Sequence, residues 1–549
     1  MKYMTKNSTF IVLTACSMLF SCQDEWNKHY DNAGTASGIH LYELIKQDEN
    51  LSKFSRLIEI SGYDKLLSSS QTYTVWAPHN EGLSFIDPNT IDSIQANLLV
   101  SNQIARFNNP TSNPKDKSIR MINKKNYFYS DDGGIKFGGI ALVEKNRIAS
   151  NGLLHTTEGF IPYFHNLYEF ICADESTSFF ASFISQFQEN IFDSELSIPI
   201  DSENGMIVYD TITSPYNRLF EHRGLELGSI SMGLGAINNE DSVYTMLMPT
   251  NKAWDAARQK IAPYFKIYNS DRNYADSVSQ VQTSLAIINN LIFRGKITNP
   301  YSCDSLISTF APFKFYNIDQ QTVMHNVNDL FEGSEMLNAS NGLIYLTDNL
   351  NLNNTETWNP PIMIEAESTI GRRLGDNTSI VTHTITLDSP IQEVSGSRYI
   401  FVESTTTTAQ ASVTFQIPDV LSCKYNIYVD VLPSINSNNA FNNDSTRLAF
   451  VLVYMNESGT ISTATASSAD LITNGTKKIR MKVFDDFEFP VSNFVDQLWY
   501  MNPQNNPENF MTTTSLTVRT NVANSEVNNG LFRRRFAIDN IIFEPIPNK

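Results

Sequence analysis

Apolar positions in the first part of the chain fall at helical spacing. Leu41, Leu44 and Ile45, then Phe54, Leu57 and Ile58, recur every three or four residues, so two short amphipathic helices are expected. YTVWA, Tyr73 to Ala77, is instead a β-branched and aromatic run that predicts a strand, and Pro78 ends it by withholding a ladder donor. Asn80 is then expected to cap a helix starting at Glu81, because its side-chain oxygen can accept an orphan backbone N–H. Asn151-Gly152 marks a turn, and LLHTT after it a further strand.

The same grammar returns further on. LYELI at Leu41 recurs as LYEFI at Leu167, and at that offset Glu49, Ser52 and Phe54 meet Glu175, Ser178 and Phe180. TVWAPHNEGL at Thr74 recurs as TMLMPTNKAW at Thr245, and NGLLHTTEGFI at Asn151 as NGLIYLTDNLN at Asn341. Three matches in one order indicate two copies of a domain. Asn251 is accordingly expected to cap as Asn80 does. The second copy is longer between its first two boxes. The extra residues lie between Phe187 and Asp241 and alternate short apolar runs with turns, as insertions that decorate a surface do.

This order of boxes resembles the fasciclin-like domain, which carries a T-V-F-A-P-x-N-x-A-F box and an N-G-V-I-H-V-I-D box. TVWAPHNEGLSF is similar to the first. RIASNGLLHTTEGFIP is similar to the second, with His155 at the family's histidine and Tyr345 replacing it in the second copy. The resemblance covers about Ile39 to Leu352. It implies a compact α+β fold used for adhesion and binding, whose boxes are core and turn positions rather than catalytic groups.

After TWNPPI, Thr357 to Ile362, whose paired prolines stop helix and strand, the composition shifts to Thr, Val, Ile, Ser and Asn. Eight short runs predict strands: PIMIEAES, RYIFVES, ASVTFQI, YNIYVDVL, RLAFVLVYM, KIRMKVF, TSLTVRT and RRFAIDNIIFEP. Their number and spacing indicate a β-sandwich or jelly roll. Alternation places Glu365 and Glu367 opposite Ile364 and Ala366, and Asp539 opposite Ile538 and Asn540. The ends IEAES and AIDNIIFEP resemble those of galactose-binding-like jelly rolls, many of them carbohydrate-binding modules. That resemblance implies a structural calcium on Glu365, Glu367 and Asp539, whose hard oxygens suit the ion. The competing reading is exposed acids on edge strands.

The N-terminus changes the setting. Lys2 and Lys6 precede the apolar run Phe10 to Phe20, which is too short to span a bilayer and stops at Leu19-Phe20-Ser21-Cys22. This resembles a bacterial lipobox, implying cleavage before Cys22 and lipid on its thiol. Gln23-Asp24-Glu25 resembles the acidic export tag of Bacteroidetes surface lipoproteins, although a solvated linker would look the same. Cys172, Cys303 and Cys423 are too few and too scattered for a disulfide framework and are expected as buried thiols. The formal net charge of −18 disfavours nucleic acid and polyanionic glycans.

No catalytic signature occurs: no G-x-S-x-G, H-E-x-x-H, P-loop, C-x-x-C or EF-hand loop. His155 reads as a hydrogen-bonded structural residue. Carbohydrate binding calls for aromatic faces among polar groups. The candidates are Trp499 and Tyr500, in DQLWYMNPQNNPENF, and Phe441, in SNNAFNNDST.

The expected organisation is a signal peptide over 1–21, a linker over 22–38, fasciclin-like domains over 39–165 and 166–356, the second with an insertion near 188–240, and a galactose-binding-like sandwich over 357–549. The fold class is thus two α+β domains followed by an all-β jelly roll. The expected function is a non-catalytic outer-membrane surface lipoprotein, lipid-anchored, that binds glycan or a partner protein beside a SusC/SusD-type uptake system, without a required cofactor. The alternatives are adhesion to a host or matrix protein through the fasciclin-like pair, and a scaffold subunit docked on a transporter.

Overall fold

The computed structural model describes residues 38–111, 118–131, 133–192, 198–203, 206–210, 213–221, 233–310, 322–436, 438–493 and 513–546, with backbone alone between 193 and 215. The chain divides into two units, Met1–Asn166 and Leu167–Lys549. It is multidomain, with mixed α/β and all-β parts.

In the first unit the helices Leu41–Lys46 and Ser52–Ser61 form where the spacing requires, and both bury the expected apolar residues. The sheet contains β1 (Tyr73–Pro78), β2 (Ile104–Arg106), β3 (Ser118–Arg120), β4 (Asn126–Asp131), β5 (Ile135–Phe137), β6 (Ile140–Ala149) and β7 (Gly152–Thr157), in the order β2-β1-β7-β6-β5-β4-β3. β1 and β7 run parallel, Tyr73 opposite Gly152 and Pro78 opposite Thr157. Both are buried along their whole length, which is why neither shows clean alternation. A Cβ on Gly152, at φ +152°, would lie 1.9 Å from the Tyr73 carbonyl oxygen, so this register demands glycine.

The second unit begins with the helices Leu167–Ala173 and Ser178–Ser185. The insertion follows as nested antiparallel pairs: β8 (Gln188–Phe192) with β11 (Thr213–Asn217), and β9 (Ile198–Glu203) with β10 (Met206–Asp210). Its root is held by Tyr216, Leu219 and Phe220, all buried. β12 (Tyr244–Pro249), β13 (Ile292–Arg294), β14 (Leu306–Ile307), β15 (Val323–Met324), β16 (Glu335–Ala339) and β17 (Gly342–Thr347) come next. β12 pairs parallel with β17 and antiparallel with β13, as β1 does with β7 and β2. Gly342 meets Tyr244 as Gly152 meets Tyr73.

The repeated polar residues do the same work in both copies. Asn151 Oδ1 accepts the Leu41 N–H at 2.8 Å, and its amide donates to the carbonyls of Leu67 and Ser69. Asn341 accepts from Leu167 at 3.0 Å and donates to Ile237 and Asn239. Thr74 bridges Phe107 and Asn109, and Thr245 bridges Gly295 and Ile297.

The expected role of Asn80 is corrected. No helix starts at Glu81, where the backbone makes turns. Asn80 Oδ1 instead accepts from Lys53 N–H at 3.0 Å, and its amide donates to Glu49 O and Ser52 Oγ, so it caps the earlier helix from across the fold. Asn251 does this to Phe179, Glu175 and Ser178. The helix Asn251–Ile261 does form, but Thr250 caps it. This explains why Glu49, Ser52 and Phe54 recur along with the distant asparagine.

The sandwich contains β18 (Ile362–Glu365), β19 (Arg372–Leu374), β20 (Thr378–Thr384), β21 (Arg398–Ser404), β22 (Ser412–Gln416), β23 (Lys424–Leu432), β24 (Leu448–Met455), β25 (Ile461–Ala466), β26 (Ile479–Glu488), β27 (Ser515–Thr520) and β28 (Arg535–Pro545). One sheet runs β20-β21-β28-β23-β26 with β18 also on β28, and the other runs β19-β22-β27-β24-β25. All eight expected strands are present. The three that were not expected, β19, β20 and β25, are all sheet edges.

Second-copy and sandwich residues share one hydrophobic core. Trp358 lies between them, edge-on to Tyr264 with ring centroids 4.5 Å apart. Ser422 and Ser492 N–H groups bond the carbonyls of Tyr264 and Lys266. Asn359, 2% exposed, accepts from Tyr425 Oη at 3.2 Å. The TWNPPI boundary is therefore packed against both parts. The expectation of three buried thiols is also corrected. Cys423 is buried, Cys303 is half-buried and Cys172 is exposed, because Leu167 and Ile171 take the inward positions of the helix that carries Cys172.

Candidate functional site

Cys22, Trp499 and Tyr500 lie outside the described residues. The strands around the Trp499-Tyr500 segment are nonetheless fixed. Thr514 O accepts from the Ile417 N–H at 2.9 Å, and Asn493 Nδ2 donates to Ile417 O at 2.7 Å. Both flanks of residues 494–512 are thus held to one residue, beside Ser492 and its bond to Lys266. Phe441 bridges to Ile435 and lies half-buried against a small cluster of Ile391, Tyr399, Leu432 and Ala537. Its ring covers that cluster rather than standing free.

Glu365, Glu367 and Asp539 sit at the end of the six-stranded sheet with a set of cations. The pairing of β23 with β28 shifts between Val429 and Val431, which pair with Ile541 and Ile538, so Asp539 and Asn540 both fall opposite Asp430. This bulge interrupts alternation, and Asp430 and Asp539 are both fully buried. Lys478 Nζ reaches Asp539 at 2.7 Å and Asp430 at 3.1 Å, and Arg480 grips Asp430 through two bonds of 2.8 and 3.0 Å. Ser395 N–H donates to Asp539, and its hydroxyl donates to Glu365 Oε1 at 2.5 Å.

Burial raises the Asp539 carboxyl pKa above the usual range, against the pull of Lys478. Asp430 is held below its ordinary value: burial acts upward, and Arg480 and Lys478 outweigh it. Glu365 and Glu367 are both raised, chiefly by burial, and each keeps a buried oxygen without a hydrogen-bond partner.

Among the described residues, no three His, Cys, Asp or Glu side chains form a group that could hold a metal ion. The third place in the expected calcium set is filled: Asp539 bonds an ammonium and a backbone N–H. The sequence reading missed Lys478, Arg480 and Asp430. Their signal was present, since KKIRMKVF alternates cation and apolar residue, and Asp430 is a lone acid inside the apolar run YVDVL.

His155 is fully buried in the first unit and stacks on Trp76, with centroids 5.5 Å apart. Nδ1 accepts from the Asn146 N–H at 3.2 Å, and Nε2 lies 3.2 Å from Asn109 O, to which it donates in the neutral ring. Burial lowers its pKa to about 4. Between pH 6.5 and 4 the unfolded chain therefore binds a proton that the native state refuses. The stability contribution is full above pH 6.5 and lost as pH falls, by about 3 kcal/mol. Imidazole NMR of the full chain should give His155 a midpoint near 4. A midpoint near 6.5 would disprove the burial argument.

Exposed aromatic rings among the described residues lie outside the sandwich: Phe85, Phe107, Phe128 and Tyr163 in the first unit, and Phe179, Phe192, Tyr268, Tyr274 and Tyr301 in the second copy. No described helix is long and apolar enough to cross a membrane.

No sequence family matches the chain, and no curated protein matches it. Among solved structures, a FAS1 domain pair from the insect cell adhesion molecule fasciclin I is similar at 11% identity, covering 57% of this chain and 97% of that one, with a TM-score of 0.19. A xylan-binding domain, carbohydrate-binding module 22, is similar at 14% identity over 34% of this chain and 94% of that one, TM-score 0.21. A Paenibacillus xanthan lyase is similar at 16% identity over 34% of this chain and 13% of that one, TM-score 0.21.

Proposed function

We propose that the chain is a non-catalytic surface lipoprotein, anchored through Cys22 in the outer membrane, that binds glycan beside a SusC/SusD-type transporter. The observation that supports this reading is the sequence around Trp499-Tyr500 together with its described flanks. Residues 494–512 lie outside the described residues, so it is their sequence that carries the argument. They are rich in Asn, Gln and Pro and carry two adjacent aromatics, and the described residues on either side, Asn493 and Thr514, both bond Ile417. The repeated boxes are spent on folding: the repeated asparagines bond backbone within their own copy. An anchor would keep weak sites near a transporter, so avidity would substitute for affinity.

A calcium ion in this reading would use Glu365 and Glu367, whose partnerless buried oxygens fit a hard cation. Asp539 would stay with Lys478.

The test is affinity electrophoresis of the full chain through neutral polysaccharides, with Trp499→Ala beside it. The full chain is needed because Trp358, buried against Tyr264 of the second copy, would be exposed in an isolated sandwich. Retardation by one glycan, reduced at least tenfold in the variant, is expected. No retardation by any would move the reading to adhesion, which the exposed rings of Phe85, Phe107 and Phe128 favour.

A further inference from the structure

The second copy holds a pocket to which the repeated boxes contribute only Trp254. It opens between the helices Ser178–Ser185, Asn251–Ile261 and Arg272–Ile288, with a volume of about 250 Å³. Trp254 forms part of its wall, buried and stacked on Phe180 with centroids 5.2 Å apart. Phe179, 47% exposed, lines it from the side facing solvent. Gln186, Ser277 and Gln280 supply amide and hydroxyl groups.

Arg258 supplies the only charge. Its Nε is buried and has no hydrogen-bond partner. No ion pair is formed by Arg258 among the described residues, and no Asp or Glu lines the pocket. In a chain with 58 acidic and 40 basic residues, an acid-free cleft around an unpaired guanidinium is a local reversal of charge. A buried donor left without an acceptor is destabilising, and an incoming acceptor would recover that cost.

We propose that this pocket binds the carboxylate of a uronic acid residue at the end or branch of a glycan. Arg258 takes the carboxylate, since the guanidinium fork matches its two oxygens. The Phe179 ring presents an apolar face to the sugar. Gln186, Ser277 and Gln280 bond ring hydroxyls, as both amide and hydroxyl can donate and accept. The volume lies at the small end of ligand sites and suits one sugar ring. A single acidic residue also escapes the repulsion that the net charge imposes on a polyanion. The proposal rests on the glycan-binding reading and names a second subsite with its chemical class.

The experiment is saturation-transfer NMR on the full chain with D-glucuronate, D-galacturonate, D-glucose and D-galactose. Transfer to one or both uronates should exceed that to the neutral sugars at least fivefold. Arg258→Gln should abolish the difference, Arg258→Lys should retain part of it, and Phe179→Ala should weaken transfer severalfold. Ser277→Trp, which fills the pocket, should abolish binding without touching Arg258. Thermal midpoints within a few degrees of the parent would show the variants folded. Equal transfer to neutral and acidic sugars, no transfer at all, or an unchanged Arg258→Gln would overturn the proposal. Neutral polysaccharide retardation that depends on Trp499 and is unmoved by Arg258→Gln would keep the broader reading intact while the pocket assignment is judged on the uronates alone.

Discussion

Asn151→Ala is expected to destabilise the first unit by about 3–5 kcal/mol, a large share of a domain's stability. The side chain makes three hydrogen bonds to the backbone, at 2.8, 2.8 and 2.7 Å, and joins three segments far apart in sequence. The Leu41 N–H opens a helix and is one of its orphan donors. Without Asn151 it is left buried with no partner. The carbonyls of Leu67 and Ser69 lose their donor in the same step. Asn151→Asp separates the contributions: it keeps the acceptor for Leu41 but cannot donate, so it should cost less than alanine and more than nothing. Asn341→Ala should act likewise on the second unit, because Asn341 repeats the same three bonds. Urea unfolding of the full chain, followed by circular dichroism, should show the transition of the affected unit move to lower urea concentration in each variant. A shift below 1 kcal/mol for Asn151→Ala would mean water replaces the side chain, and the box would lose its standing as a tertiary clamp.

Lys478→Met is expected to cost about 3 kcal/mol at neutral pH. Breaking a buried pair leaves an uncompensated charge, and the value lies at the low end because the lysine side chain keeps 25% exposure. Asp430 retains Arg480, so the loss concentrates on Asp539, which is fully buried. The pH dependence follows from that carboxyl. Its folded pKa is already raised, and losing the ammonium raises it further, so the native state gains affinity for a proton relative to the unfolded chain. The variant should therefore recover stability as pH falls towards 4 and lose it as pH rises. A penalty independent of pH would show that the lysine contributes packing rather than charge. Calcium reports on the same cluster: if Glu365 and Glu367 bind the ion, millimolar calcium should raise the melting midpoint of the parent, and Glu365→Gln should remove the rise. A calcium response lost only on mutating Asp539 would contradict the division between metal and lysine.

Much of the fold is legible without coordinates. The helices at Leu41 and Ser52 follow from apolar spacing, because a helix on a sheet must bury one stripe. The eight strands follow from their β-branched and aromatic runs. The three strands missed, Arg372–Leu374, Thr378–Thr384 and Ile461–Ala466, share one reason. Each is a sheet edge with its ladder half unpaired, and none needs an apolar run to form. The duplication was visible as three boxes, but not what held them. Asn80 looked like a local cap since local capping is the common use of asparagine. Its true partner is Lys53, brought near by the sheet.

The candidate sites divide in the same way. Glu365, Glu367 and Asp539 could be named from strand ends, but alternation along a strand cannot foresee a bulge. The bulge turns Asp539 and Asp430 onto one ammonium. TWNPPI reads as a boundary because prolines stop regular structure, which says nothing about packing. Trp358 is buried there against Tyr264, so the second copy and the sandwich share a core. The pocket at Arg258 had no sequence signal at all, since its walls come from three helices separated by many residues.

The sequence by itself determined the recurrence of three boxes, most of the sandwich strands and the apolar faces of the first helices, since those rest on period and propensity, which are local. Only the tertiary structure decided which charges meet, which polar groups are spent on folding and where a cation is left without a partner, because these depend on distances between segments that no local pattern encodes.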